Sequence, residues 1–294
     1  MASQAELAAM RQAILLSALG LGTTSPNPPV GCVILDTHGT PVGAGFHRRK
    51  GEPHAEVNAL AAAGTAARGG TAVVTLEPCN HVGVTPACRQ ELLDAGIARV
   101  VLGVIDPTSR GDGGAAVLAG AGVDVETGVL HEEVFAVLGP WLTATRRRCP
   151  YVTWAHKSQQ EPDRPADDRH LAILRGTADV VLDGAAVSEG VPGGHSAVHF
   201  RLPDLDQLGE GLAPWLDDAY RNGARRVLLI SSEPEPTPGY LPLIDELWLA
   251  LCRTNPPRAS TPISHQLSDA GFQIVDIIAD QVTITAHLRQ TGFS

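Results

Sequence analysis

The stretch that most constrains this chain runs from residue 51 to residue 88, because it holds a complete set of metal-binding side chains. It reads GEPHAEVNAL, continues through a segment of small residues, and ends in TLEPCNHVGVTPAC. His54, Cys79 and Cys88 supply three ligands of the kinds that zinc prefers. Three protein ligands and one open position are typical of a catalytic zinc, whereas a structural site closes the fourth position with protein. The pattern therefore predicts a catalytic zinc centre.

Glu56 lies two residues beyond His54 and is the candidate proton carrier of this centre. Zinc lowers the pKa of a water in its open position to near neutrality, which provides hydroxide at ordinary pH. A carboxylate that need not be a ligand can move protons between that water and a leaving amine. The combination predicts the chemistry of the zinc nucleobase deaminases.

Local signals place these side chains at the ends of ordered elements. Pro53 suits the first position of a helix, which predicts that His54 and Glu56 lie in the first turn and a half of a helix ending near Ala67. Cys79 ends the extended run TAVVTLEPC, which predicts a strand before it.

A second helix start is predicted where the last ligand falls. Thr85 suits the N-cap and Pro86 the first helical position, so Cys88 would be third, where free N–H groups favour a thiolate. The alternative for each residue alone is structural: His54 as a helix-capping histidine and the cysteines as small buried hydrophobes. The full pattern of HAE, PC and Pro-x-Cys favours the metal site over that alternative.

Four segments resemble one known family. They are NPPVGCVILD, GFHRRKGEPHAEV, TLEPCNHVGVTPAC and GVIDPTSRGDG. Together they resemble the deaminase half of the bifunctional riboflavin-biosynthesis deaminase/reductase family, from about Met1 to Pro150. Eight residues separate Cys79 from Cys88. Purine, cytidine and tRNA deaminases of the same superfamily usually keep only two there, so the long spacing is the discriminating feature.

The fold class follows from element order and from the resemblance. Strands alternate with helices in both halves, which predicts layered α/β sheets. In the second half we expect a strand over residues 151–156, a loop over 188–196, one amphipathic helix over 204–223 and a hairpin formed by the last two strands. The resemblance implies a cytidine-deaminase-like, three-layer α/β/α deaminase domain over residues 1–148. A smaller α/β reductase-like domain, of the dihydrofolate-reductase-like kind, is expected over residues 149–294.

The resemblance also implies a substrate pocket. Its residues in this chain are Asn27, His47, His81 and Asp106. From chemistry alone, Asn27 could instead serve an Asx turn and the two histidines could lie on the surface.

The second half departs from the reductase motifs of the family. The chain has Ala155 where the family carries a Lys, QQEP at 159–162 in place of Ser-Leu-Asp-Gly, and GVP at 190–192 in place of an Asp-containing motif. ISS at 230–232 replaces Glu-Gly-Gly, where glycines let phosphates approach the backbone. The glycine pair at 193–194 would be the remaining phosphate loop, and a lone pair after proline is more often a turn. We expect a degenerate reductase-like domain that binds no NADPH and serves folding or dimerisation.

The deaminase half also departs from the family at two places. Val84 stands where the family carries Lys or Arg for the substrate phosphate, and Thr108 stands where it usually has Asn. The loss of the cation suggests an altered, non-phosphorylated substrate and a role in secondary metabolism. The alternative is that Arg48, Arg49 or Lys50 contacts the phosphate instead, and the sequence leaves both open.

Composition narrows the remaining function classes. The net charge of −10, with RRR at 146–148 as the cationic run, disfavours nucleic-acid binding. Cys32, Cys149 and Cys252 remain beside the two metal cysteines, which suggests reduced thiols rather than a disulfide framework. The first twenty residues read as a helix rather than a signal peptide, and no run is long enough for a bilayer. We expect a cytoplasmic protein with a small-molecule substrate, and a homodimer by family resemblance.

The favoured hypothesis is a zinc-dependent hydrolase that deaminates a diaminopyrimidine-type heterocycle and releases ammonia. His54, Cys79 and Cys88 hold Zn²⁺ and Glu56 moves the proton. Two alternatives stay open: a bifunctional deaminase/reductase that uses NADPH, and a non-catalytic pseudoenzyme whose zinc only stabilises the fold.

Overall fold

The computed structural model describes residues 1–80, 87–109, 113–156, 169–233, 236, 238–252, 270–279 and 283–290. The chain forms two units, Met1–Leu142 and Thr143–Ser294. This division falls a few residues before the boundary predicted between residues 148 and 149. Among the described residues, no helix combines the length and the hydropathy that a membrane crossing requires.

The first unit contains a five-stranded sheet in the order β2-β1-β3-β4-β5. The β1–β2 and β1–β3 pairs are antiparallel, and the β3–β4 and β4–β5 pairs are parallel. Its elements are α1 (Gln4–Ala18), β1 (Gly31–Leu35), β2 (Pro41–Phe46), α2 (Ala55–Ala63), β3 (Thr71–Leu76), α3 (Cys88–Asp94), β4 (Arg99–Val104), α4 (Gly113–Gly120), β5 (Asp124–Glu126) and α5 (His131–Arg147).

Helices cover both faces of this sheet, and glycines allow their close approach. A Cβ at Gly31 would lie 2.0 Å from the carbonyl oxygen of Ala13, so α1 packs against the face to which Gly31 points. A Cβ at Gly45 would lie 2.6 Å from the backbone nitrogen of Ala59 in α2. Gly45 pairs with Cys32, the neighbour of Gly31, and adjacent strand residues point to opposite faces. The helices α1 and α2 therefore lie on opposite faces, which confirms the predicted α/β/α layering.

Two helix starts differ from the prediction. The helix α2 begins at Ala55, so Pro53 lies outside it and His54 is the N-cap with an extended backbone (φ −72°, ψ 169°). The helix α3 begins at Cys88 with Ala87 as its extended N-cap, two residues later than predicted. Both caps have extended backbone, so the proline signals placed each helix start two residues too early. The proposed cap Thr85 lies outside the described residues.

The second unit contains a seven-stranded sheet in the order β11-β12-β10-β6-β9-β7-β8. The predicted α/β class is confirmed, and the last two strands pair antiparallel as the predicted terminal hairpin requires. The elements are β6 (Tyr151–His156), α6 (Arg169–Thr177), β7 (Val180–Asp183), β8 (Ala186–Glu189), α7 (Leu212–Arg221), β9 (Arg226–Ser231), β10 (Glu246–Cys252), β11 (Phe272–Ala279) and β12 (Thr283–Gln290).

Two predictions in this unit are wrong in detail. The single amphipathic helix predicted over residues 204–223 is divided into a 3-10 helix, Leu205–Glu210, and α7. Gly211 separates them with φ 120° and ψ 165°, a conformation that strongly favours glycine. The loop predicted from Ser188 onward begins instead with the end of β8, which pairs with β7.

A buried polar network joins three elements of the second unit. Asp179 Oδ2 accepts hydrogen bonds from the backbone N–H groups of Arg225 (2.7 Å) and Arg226 (2.9 Å). Its other carboxylate oxygen lies 3.1 Å from Nε2 of His195, whose side chain is fully buried. The His195 ring stacks on Phe200 at 3.9 Å between centroids. One carboxylate therefore holds the start of β9 and the 190–200 segment together.

We predict that Asp179→Ala lowers the free energy of unfolding by more than about 2 kcal/mol, because it leaves the buried N–H groups of Arg225 and Arg226 without an acceptor. Urea titration followed by tryptophan fluorescence measures this, since three of the four tryptophans lie in the second unit. Asp217→Ala is the matched control, because the Asp217 side chain is 60% exposed and its ion pair is with the exposed Arg221. Equal losses in the two variants would refute the structural role of Asp179.

Candidate active site

Three side chains predicted to bind metal converge in the first unit. One ligand atom from each of His54, Cys79 and Cys88 lies within 4.8 Å of the other two. His54 Nδ1 is 3.1 Å from Cys88 Sγ and 3.8 Å from Cys79 Sγ. Among the described residues, the cluster contains no fourth His, Cys, Asp or Glu. The three ligand atoms are thus close enough together to bind one metal ion.

The two sulfurs share a polarised environment. Hydrogen bonding from the Cys88 thiol lowers the pKa of Cys79, and His54 acts in the same direction, although burial opposes them. The backbone N–H of Cys88 also donates to Cys79 Sγ at 3.2 Å. Zinc binds thiolates, so donors directed at a sulfur favour the state that the metal needs. The donor set and its surroundings fit a zinc ion.

Glu56 lies in the first turn of α2, two residues after the candidate ligand His54. Its side chain is buried, with 3% of the residue exposed, and it interacts with the Cys88 thiol. Burial raises the pKa of Glu56 above its ordinary value. The structure thus brings the predicted proton carrier beside the predicted ligands and shields it from bulk water.

Two predicted pocket residues form a hydrogen-bonded chain beside this cluster. His47 Nδ1 donates to the carbonyl of Pro53 at 3.2 Å, and His47 Nε2 lies 3.2 Å from Asn27 Nδ2. Lys50 Nζ donates to Asn27 Oδ1 at 2.8 Å. An ammonium can only donate, so it identifies the oxygen of the amide and directs the Asn27 nitrogen toward His47. His47 Nε2 is therefore an acceptor, and the ring is neutral.

His47 also contacts the candidate metal centre directly. Its ring lies edge-on to the His54 ring, with 5.0 Å between centroids, and the residue is 2% exposed. Burial, then the neighbouring His54 and Lys50, lower the pKa of His47 to about 4. His47 and Asn27 thus lie beside the candidate metal cluster. The sequence named Lys50 as a candidate phosphate contact, but it did not predict the hydrogen bond from Lys50 to Asn27.

The other two predicted pocket residues have different outcomes. His81 lies outside the described residues. Asp106 accepts hydrogen bonds from the N–H and the hydroxyl of Thr108 through one carboxylate oxygen. The described contacts connect Asp106 to the metal cluster only through Glu77, which precedes Cys79 by two residues.

Glu77 is a site residue that the sequence prediction missed. Its residue is 5% exposed, and it accepts hydrogen bonds from the N–H groups of Asp106 (3.2 Å) and Ala115 (2.9 Å) and from the Ser109 hydroxyl (2.8 Å). One buried carboxylate therefore ties the Cys79 segment to the segment carrying Asp106. The only sequence signal was its place in TLEPC, next to a candidate ligand.

We predict that Glu77→Gln destabilises the first unit by about 1–3 kcal/mol, because its amide nitrogen would face N–H donors in place of a carboxylate oxygen. Urea unfolding and the zinc content of the purified protein measure the effect. Glu132→Gln serves as the control, since the Glu132 side chain is 96% exposed. A Glu77→Gln variant as stable as this control would contradict the proposed tie.

The fold and the site together define the class of this protein. Residues 3–104 match the family described as the cytidine and deoxycytidylate deaminase zinc-binding region. That range contains all three candidate ligands and Glu56, so the first unit is a cytidine-deaminase-like, zinc-binding domain.

Individual relatives identify the family within that class. The chain is 46% identical over 197 residues to the riboflavin biosynthesis protein RibD of Mycobacterium tuberculosis, which covers 60% of this chain and 58% of that protein. It is 52% identical over 125 residues to the diaminohydroxyphosphoribosylamino-pyrimidine deaminase of Buchnera aphidicola, covering 42% of this chain and 84% of that protein. The chain belongs to the bifunctional riboflavin-biosynthesis deaminase/reductase family, as its motifs predicted.

A solved structure extends the likeness to both units. RibD of Acinetobacter baumannii superposes with a TM-score of 0.77 at 26% identity, covering 98% of this chain and 99% of that one. By sequence, the alignments with the Escherichia coli and M. tuberculosis relatives span 58% of the length of those proteins.

Proposed function

We propose that this chain hydrolyses the amine of a diaminopyrimidine-type heterocycle and releases ammonia. The convergence of His54, Cys79 and Cys88 beside the buried carboxyl of Glu56 is the observation that carries the proposal. The Buchnera relative is named a diaminohydroxyphosphoribosylamino-pyrimidine deaminase, which supports a diaminopyrimidine as the substrate class.

Each residue of the site has a separate role in this reaction. His54, Cys79 and Cys88 would hold the zinc, which when bound would lower the pKa of a water and so provide the nucleophile. Glu56 would take up the proton that this water loses and deliver it to the leaving nitrogen, as the bond from ring carbon to oxygen forms and the bond to nitrogen breaks. A carboxyl with a raised pKa holds this proton more readily than an exposed one would. Asn27 uses one N–H on His47 and has a second N–H for a substrate acceptor.

We predict that Glu56→Gln lowers kcat for ammonia release by about 10²- to 10⁴-fold while zinc is retained, because the amide cannot carry the proton. Ammonia release from diaminopyrimidine ribosides and elemental analysis for zinc measure the two quantities. Glu52→Gln is the matched control, since Glu52 is exposed and lies in the same segment.

The outcomes separate the proposal from the zinc-stabilised pseudoenzyme. Unchanged ammonia release by a zinc-containing Glu56→Gln variant would rule out the role of Glu56. A wild-type protein that holds zinc and releases no ammonia from any diaminopyrimidine would favour the pseudoenzyme.

We also propose that the second unit does not reduce and binds no NADPH. The glycine pair at 193–194, which the sequence predicts to be a turn rather than a phosphate loop, already uses one N–H: that of Gly193 donates to Glu189 Oε2 at 2.5 Å. The same carboxylate lies 3.4 Å from His195 Nδ1. A carboxylate at this loop repels an incoming phosphate, and Ser231 and Ser232, at the end of β9, stand where the family carries glycines. The alternative to this proposal is a bifunctional deaminase/reductase whose second unit uses NADPH.

We predict no saturable binding of NADPH at micromolar concentrations, because the loop presents a carboxylate where a phosphate would need free N–H groups. A titration of NADPH fluorescence against the full chain measures this, with the reduced nicotinamide mononucleotide as a control that lacks the adenosine phosphates. Saturation with NADPH at micromolar concentrations would refute the proposal that this unit binds no NADPH.

We propose a homodimer as the assembly, in keeping with the family resemblance. The strand β11 lies at the edge of the second sheet and exposes three apolar side chains: Ile274, Val275 and Ile277. Exposed apolar residues on an edge strand favour pairing with another chain. A second copy of the same chain is the partner that we propose.

A further inference from the structure

Lys50 places an ammonium group at the candidate active site. The residue is half-buried, and its described hydrogen bond is the one to the neutral amide of Asn27. Among the residues described, no Asp or Glu forms an ion pair with it. An ammonium has three N–H donors, so two remain for another acceptor. A half-buried cation without a counter-ion is stabilised by an anion that reaches it.

The position of this cation relates it to the substrate. Asn27, which accepts from Lys50, donates to His47, and the His47 ring contacts the His54 ring. Lys50 is therefore two hydrogen bonds and one ring contact away from the candidate zinc ligands. A group bound at Lys50 would lie beside the metal cluster without reaching it, as expected for a substituent remote from the reacting ring carbon.

The neighbouring cation does not have this placement. The Arg48 guanidinium lies over the Phe46 ring, 5.6 Å from its centroid, and the residue is exposed. The Arg48 carbonyl accepts from the Thr23 hydroxyl, which fixes the backbone and leaves the side chain outside the hydrogen-bonded chain of the pocket. Lys50 and Arg48 thus carry the same charge in the same segment with different surroundings.

We propose that Lys50 determines substrate specificity by binding a phosphate on the diaminopyrimidine substrate. The inference rests on the proposed function and deepens it, because it selects the phosphorylated form of the substrate. The proposal also explains how the protein could do without a cation at position 84, where the family carries Lys or Arg and this chain has Val84. Lys50, in the segment before α2, would supply the positive charge instead. Lys50 acts on binding rather than on the proton transfer.

The experiment compares three variants on two substrates. Lys50→Met removes the charge and keeps the aliphatic stem, Lys50→Arg keeps the charge, and Arg48→Met removes an equal charge two residues away. The substrates are a diaminopyrimidine ribose phosphate and the same compound after phosphatase treatment. Ammonia release gives kcat and KM, and zinc content with thermal unfolding verifies that each variant is folded.

We expect Lys50→Met to raise KM for the phosphorylated compound about 10- to 100-fold more than KM for the dephosphorylated one. The dephosphorylated compound loses only the contribution of the Lys50 contact that orients Asn27. Lys50→Arg retains most of the affinity, and Arg48→Met changes neither constant appreciably. Where the dephosphorylated compound turns over too slowly, its inhibition constant replaces KM.

Two outcomes would overturn the inference. Equal losses on both compounds would mean that Lys50 acts only by orienting Asn27, and no loss on either would mean that it does not face the substrate. The failure of the proposed function is a different result, because wild-type protein would then release no ammonia from either compound. Calorimetric binding of the phosphorylated compound to wild type and to Lys50→Met still decides the role of Lys50 in that case.

Discussion

The site depends on the hydrogen bond from the Cys88 amide to the sulfur of Cys79. It joins the segment after β3 to the first residue of α3, although eight residues separate the two cysteines. The same contact stabilises negative charge on the sulfur, which metal binding requires. Chain geometry and ligand chemistry are thus set by one interaction, and His54 completes the arrangement from the cap of α2.

Around this centre, buried carboxylates fix loops that have little regular structure. Glu77 uses its oxygens on backbone and hydroxyl donors of the segment that carries Asp106. In the second unit, Asp179 serves the start of β9 and His195 in the same manner. A buried carboxylate is costly alone, so each is retained where several donors converge on it. Each unit thus contains a buried carboxylate that accepts several hydrogen bonds: Glu77 near the candidate active site and Asp179 in the reductase-like fold.

Much of this molecule could be predicted from its sequence, and the failures have a common cause. Apolar periodicity and the turn-forming residues between segments predicted β3, β6 and the terminal hairpin, because such signals are local. The starts of α2 and α3 were placed two residues too early, because both caps have extended backbone that the proline signals did not reveal. Partners far along the chain, such as those of Glu77, and the Lys50 contact with Asn27 leave no local pattern.

The close contact of Gly45 bears on how freely the candidate metal centre can move. Gly45 brings β2 to backbone contact with α2, the helix that carries Glu56 and is capped by His54. Nothing compressible separates the two elements, so α2 has little room for sliding or tilting. Substitutions that adapt this fold to new substrates should therefore accumulate in the connecting segments. The close contact of Gly45 with α2 meanwhile keeps Glu56 in a fixed position.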